Sequence, residues 1–236
     1  MQIDILTLFP KMFSGPFDES IIRRAQDKGL VDIKIHDLRE YGEGERRSVD
    51  DRPYGGGVGM ILRVDIIDKA LSALVTNHKS PNTKVVLLDA TGKKFTQKVA
   101  KDLSRIKHLI LIAGHYEGVD TRVHEHLVDE IISIGDYVLT GGEIPAMVVT
   151  DAVVRLLHGV LEKPEATTSE SFSPITNHQS PVTTLEFPQY TRPEVYRGWK
   201  VPKVLLSGNH KEIEKWRKSE SLKKTKKVRP DLIPDP

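Results

Sequence analysis

No cysteine occurs anywhere in the 236 residues, which excludes disulfides and thiolate chemistry. Long apolar runs are missing too. The most apolar late stretch, "AMVVTDAVVRLL", is interrupted by Asp151 and Arg155, and the first ten residues, "MQIDILTLFP", carry an acid at Asp4 and no basic leader. Neither a membrane span nor a secretion signal is expected, and a cytoplasmic location is the default. Several motifs of familiar chemistry are also absent. "YGGGVGM" has the glycines of a phosphate loop, but no Lys-Ser or Lys-Thr follows, and Gly57, Gly59 and Met60 break the dinucleotide spacing. "ATGKK" has Leu87 where a Walker loop needs its first glycine. His124 and His126, two positions apart on a helix, point in different directions, and without any His-Glu-x-x-His no zinc site is expected. The lack of a Gly-x-Ser-x-Gly elbow leaves acyl transfer through serine unsupported.

What is present suits a globular protein of one or two domains with a real core. Its charge is unevenly spread. Between Arg197 and Arg229 twelve Lys and Arg stand against three Glu, a balance of +9, while the whole chain carries +2, so the rest is near −7. Such an end is either a solvated tail or a surface that meets phosphates.

Periodicity divides the chain. Strand-like "QIDILTLF", "VDIKIHDL", "KVVLLDA" and "HLILIAG" alternate with helical patterns at Ile66, Ile67, Ala70, Leu71, Leu74 and at Val99, Ala100, Leu103, Ile106. Thr96 is placed to cap the second of these, and Gly29 to stop a helix containing Ile21 and Ile22. This alternation predicts an α/β fold with a largely parallel sheet and helices on both faces. Beyond Leu161 the period stops in "EKPEATTSESFSPITNHQSPVTT". The expected organisation is therefore an α/β domain over residues 1–160, a flexible linker over 161–187 and a small helical domain over 188–236.

One stretch combines these signals. "SIGDYVLTGGEIPAM" interrupts apolar residues with Gly135, Gly141 and Gly142, after a strand-like "YVL" and before a helical run. With "LLDATGKK" and "IAGHYEGVD" it makes three glycine-containing loops at the ends of parallel strands, where backbone groups can hold the edge of a purine and a ribose. That suits a ligand containing a nucleoside.

"LTLFP", "SVDDRPYGGGVGM", "GHYEGVD", "SIGDYVLTGGE", "GVL", "FPQYTRP", "VPKVLLSGNH", "WR" and "RPDL" occur in this order. Together they resemble the bacterial tRNA (guanine-N1)-methyltransferases of the SPOUT class over nearly the whole chain. The resemblance implies a parallel-sheet SPOUT domain with a deep trefoil knot, which general connection rules would not suggest. It also implies a small, mainly helical C-terminal domain that binds tRNA. S-adenosylmethionine is implied as methyl donor, with Leu88, Gly114, Tyr116 and Glu117 on one part of its pocket. Ser133, Ile134, Gly135, Tyr137 and Leu139 are expected beside them, with Gly141, Gly142 and Pro145. On this view the glycines lack side chains because adenine and the cofactor backbone lie against them. A homodimer is implied, each active site taking its linker and C-terminal domain from the other chain. Magnesium dependence is implied as well, with Glu117 and Asp120 as nearby acids.

The implied reaction is methylation of N1 of the guanine immediately 3′ of the tRNA anticodon (position 37). Guanine N1 carries a proton in the neutral base, so a general base must remove it, and a cation near O6 must stabilise the charge that develops. The matching positions are Glu170 as base and Arg155 as the O6 partner, with Asp50 and Glu165 next in line as base. Three features depart from the family pattern: Glu170 where Asp is usual, His115 where many relatives have Arg, and Asp89-Ala90 where Ser-Pro is common. Two other readings fit parts of the sequence: an RNA-binding module without a methyl donor, and an α/β enzyme for another adenosine ligand.

Overall fold

The computed structural model describes residues 1–75, 81–163, 167, 170–175 and 182–233. The chain separates into two compact units, 1–162 and 163–236. The first contains β1 (Gln2–Thr7), α1 (Ser20–Asp27), β2 (Asp32–Asp37), a two-residue antiparallel pair β3 (Asp50–Asp51) and β4 (Ile61–Leu62), and α2 (Val64–Leu74). It continues through β5 (Thr83–Lys94), α3 (Gln97–Leu103), β6 (His108–Ala113), α4 (Thr121–His126), β7 (Glu130–Ser133) and α5 (Glu143–Val154). Five strands form one sheet in the order β2-β1-β6-β5-β7, with every neighbouring pair parallel.

The apolar strands explain this arrangement. Side chains alternate between the two faces of a strand, so a strand buried on both faces reads as a continuous apolar run. Val86, Leu88, Leu109 and Leu111 join Ile3 and Ile5 on one face, packed with residues of α1, α3 and α5. Val85, Leu87, Ile110 and Ile112 join Leu6 on the other, packed with residues of α2 and α4. Asp4, 1% exposed on β1, bridges its neighbours by accepting from His36 of β2 at 2.6 Å and from His108 of β6. Burial pushes its carboxyl up, but the hydrogen bonds from His36, His108 and Gln2 hold it below its ordinary value.

Local signals fall where the sequence places them. Thr96 Oγ1 accepts from the Val99 amide at 3.4 Å, and α1 ends before Gly29, whose φ is +67°. One strand assignment is corrected. Residues 137–139, "YVL", form no strand; the last strand of the sheet is Glu130–Ser133. Tyr137, Val138 and Leu139 are 56%, 87% and 38% exposed. They are apolar because they wall a cavity, which has no strand period. β5 also runs further than its apolar core suggests. Ile132 is paired twice, by Leu88 and by Lys93, so "LLDATGKK", expected as a loop after a strand, is instead an irregular stretch within β5 itself.

The second unit holds an antiparallel pair, β8 (Ser173–Ile175) and β9 (Val182–Thr184), then β10 (Val195–Tyr196) with β11 (Trp199–Lys200), α6 (Lys203–Leu206) and α7 (His210–Val228). The β8–β9 pair lies inside the stretch without period. Its three-residue strands are too short to show one. Asn209 caps α7, its side chain accepting from the Glu212 amide at 3.3 Å. Ser221 and Thr225 on α7 are buried and bond the Leu185 carbonyl and amide at 2.6 and 2.9 Å. The basic C-terminal segment is therefore largely an ordered helix. Among the described residues no helix is long and apolar enough to cross a membrane.

Candidate active site

The C-terminal half of β5 and the loops that follow β6 and β7 meet at one end of the sheet, where open α/β sheets place ligands. They enclose a cavity of about 310 Å³, within the usual size range of small-molecule sites. Leu88 comes from β5, and Gly114, Tyr116 and Glu117 from the loop after β6. The other eight expected pocket residues, from Ser133 to Pro145, all lie on its wall. Leu88, Ile134, Leu139 and Pro145 supply apolar surface, and Tyr116 and Tyr137 supply rings. Ser133 fixes the turn at its end: its hydroxyl donates to the Gly135 carbonyl at 2.9 Å and accepts from the Gly135 amide at 3.3 Å.

The three glycines have a reason within the protein itself. A Cβ on Gly142 would stand 2.7 Å from both Ala113 Cα and Gly114 N, so α5 starts directly against the backbone of β6. The Gly142 amide donates to the Gly114 carbonyl at 2.7 Å. At Gly135 the space is filled by the Tyr137 ring, and at Gly141 by the Glu143 carboxylate and the His115 ring. A ligand is thus not needed to account for the missing side chains. Their absence lets the loops after β6 and β7 close tightly against each other as walls of the cavity.

Of the two expected catalytic residues, only Arg155 shares the first unit with the cavity. Arg155 is the C-cap of α5, whose opposite end carries Gly142 and Pro145 on the cavity wall. At 1.5 Å per helical residue, Arg155 is roughly 15 to 20 Å along the axis from the cavity of its own chain, farther than a side chain spans. Glu170 belongs to the second unit and is half-buried. Asp50 sits in β3, and Glu165 lies outside the described residues. Of the acids linked with magnesium, Glu117 lines the cavity, whereas Asp120 is engaged with Arg122 at 2.9 and 2.6 Å. That guanidinium holds the Asp120 carboxyl below its ordinary value. Among the described residues no group of three His, Asp or Glu is arranged to hold a metal ion.

Sequence reasoning missed Glu143, a buried acid that opens α5 beneath the cavity, and the part His115 plays beside it. The available signal was an acid directly after two glycines at a helix start, where the helix dipole favours negative charge.

The profile of the family described as tRNA (Guanine-1)-methyltransferase TrmD matches residues 1–235. The chain is 54% identical over 233 residues to a tRNA (guanine-N(1)-)-methyltransferase of Dictyoglomus turgidum, covering 99% of this chain and 90% of that protein. Enzymes of the same name from Geobacillus kaustophilus and Listeria monocytogenes are 50% and 51% identical to it, over 99% of this chain and 91% and 92% of theirs. With its parallel sheet and with β5 and two loops closing on one cavity, the chain belongs to the tRNA (guanine-N1)-methyltransferase family.

Proposed function

We propose that this chain methylates N1 of the guanine immediately 3′ of the tRNA anticodon, position 37, with S-adenosylmethionine as methyl donor in the cavity at the ends of β5, β6 and β7. The observation that carries this reading is the convergence of twelve residues from three separate segments of the chain on one cavity, in a chain of this family. The cavity suits the group. Its apolar walls and tyrosine rings match an adenine and a thioether-like chain, and the glycine backbones leave amide and carbonyl edges for polar contacts. When bound, S-adenosylmethionine supplies a methyl group activated by its sulfonium charge.

The protein's own residues supply the rest. Glu170 takes the N1 proton, freeing the lone pair that attacks. Arg155 donates toward O6, where negative charge gathers once that proton leaves. Magnesium binds proteins through one or two carboxylates and ligand oxygens, and Glu117 is a carboxylate on the cavity wall that can serve it. We include the deep trefoil knot in this reading; the double pairing of Ile132 and the contact between Gly142 and the β6 backbone support it. The reaction takes place in the cytoplasm, away from membranes. Calorimetry is expected to show micromolar or tighter binding of S-adenosylmethionine and S-adenosylhomocysteine, with none for ATP; ATP binding alone would favour another adenosine enzyme.

The active site is shared within a homodimer. α5 is mainly apolar, and its Ile144 and Val148, four residues apart and followed on that face by the exposed Asp151, are 47% and 40% exposed, as expected of a helix covered by a second copy. Since Arg155 is too far along α5 to reach its own cavity, the Arg155 of each site comes from the other subunit. Gly142→Ala chains, with a disrupted cavity, and Arg155→Ala chains should each be impaired by on the order of a hundredfold alone at subsaturating S-adenosylmethionine. Mixed dimers should recover up to about half of wild-type activity, one site in two being intact. No recovery in isolated mixed dimers would place Arg155 and the cavity of one site on the same chain.

The C-terminal helical domain carries the tRNA contact. Lys226 and Lys227 are exposed in the last turn of α7, while Lys223 reaches Glu220 at 2.7 Å and Lys224 donates to the Glu186 carbonyl at 3.2 Å. Changing all four to Gln should weaken tRNA binding and flatten its salt dependence without altering S-adenosylmethionine affinity. An unchanged salt slope would assign these lysines to solvent.

A further inference from the structure

Glu143, 1% exposed, lies beneath the cavity as the first residue of α5. A carboxylate removed from water needs partners for both oxygens. Thr7, at the end of β1, donates its hydroxyl to Oε1 at 2.9 Å. Oε2 faces Nδ1 of His115 at 3.7 Å, outside hydrogen-bond range. Nδ1 is itself buried and makes no hydrogen bond. A donor and an acceptor, both withdrawn from water, thus stop roughly half an ångström short of each other.

The two groups also belong to different walls. His115 lies on the loop after β6, next to Tyr116 and Glu117, and Glu143 follows the glycine pair of the loop after β7. Gly141 leaves the space between them clear: a Cβ there would stand 2.5 Å from His115 Nδ1 and overlap the Glu143 carboxylate. The His115 ring is braced by Phe9, with centroids 4.7 Å apart, and edge-on by Tyr116 at 5.2 Å. Tyr116 holds a left-handed backbone at φ +60°, a conformation that persists only where its surroundings enforce it.

We propose that His115 and Glu143 form a latch. Closure of the cavity around S-adenosylmethionine draws the β6 loop onto the β7 loop, and Nδ1–H of His115 then donates to Oε2 of Glu143. That bond fixes Tyr116 and Glu117 against the ligand, which makes His115 and Glu143 positioning residues. The inference rests on the cavity being the S-adenosylmethionine site.

Calorimetry with S-adenosylhomocysteine, which binds without reacting, tests it alongside unfolding of the unliganded protein. His115→Phe keeps the ring and removes the donor, and should weaken binding roughly tenfold, the scale of a lost charge-assisted hydrogen bond. The melting temperature without ligand should stay within about 2 °C of wild type, because the latch is open in that state. His115→Arg restores a donor and should bring affinity back to within about threefold of wild type. In a Glu143→Gln background, where Thr7 keeps an oxygen to bond and an amide faces residue 115, Arg should do no better than Phe. Binding of His115→Phe within twofold of wild type overturns the latch, as does a parallel loss of unliganded stability or an Arg rescue that persists in the Glu143→Gln background. Failure of the wild type to bind S-adenosylhomocysteine would instead remove the cofactor reading, and the latch with it.

Discussion

Glu170→Gln is expected to slow methyl transfer by roughly a hundredfold or more at neutral pH while both ligands stay bound, the usual scale for a lost general base. The amide has nearly the shape of the carboxylate but cannot take the N1 proton. Its defect should shrink as pH rises, because a growing fraction of guanine N1 then loses its proton to solvent. Arg155→Ala should be of similar size at neutral pH and much less rescued at high pH, because the charge on O6 stays unstabilised whichever way the proton leaves. Single-turnover rates across pH separate the two, provided chemistry is slow. A Glu170→Gln enzyme with near-normal rates at neutral pH would move the base elsewhere, with Asp50 the next described candidate.

Gly142→Ala should have an effect of comparable size by a different route. The added methyl meets the backbone of Ala113 and Gly114 at 2.7 Å, and backbone cannot move aside as a flexible side chain can. α5 must retreat from β6, which strains the bond from the Gly142 amide to the Gly114 carbonyl and opens the cavity. Overpacking of this kind costs about 1–3 kcal/mol of stability. The chain should still fold, with a lowered melting temperature, while affinity for S-adenosylmethionine falls by on the order of a hundredfold as the loops part. Near-native affinity in calorimetry would mean that the start of α5 is not the wall of the site.

Which parts were legible in the sequence follows from the range of the forces involved. The apolar runs of β1, β5 and β6, the cap at Thr96 and the stop at Gly29 depend on residues within a few positions, and local pattern reveals them. The order β2-β1-β6-β5-β7 depends on pairings between distant segments, which no local period records. Gly135, Gly141 and Gly142 were visible as a cluster, but what excludes their side chains comes from Tyr137, His115, Glu143 and the end of β6. "YVL" looked like a strand because an exposed cavity wall and a buried strand use the same residues. The distance of Arg155 from its own cavity follows only from seeing that α5 runs unbroken from Glu143 to Val154. The proposed division of the site between two copies would leave no local trace in one sequence.

The most direct measurement is mass spectrometry of a tRNA digest after incubation of the enzyme with methyl-labelled S-adenosylmethionine. Labelled 1-methylguanosine is expected from the nucleotide immediately 3′ of the anticodon, and none when that guanine is replaced. Label on another base or another atom of guanine, or no label in tRNA from an enzyme that binds both ligands, would overturn the proposed function.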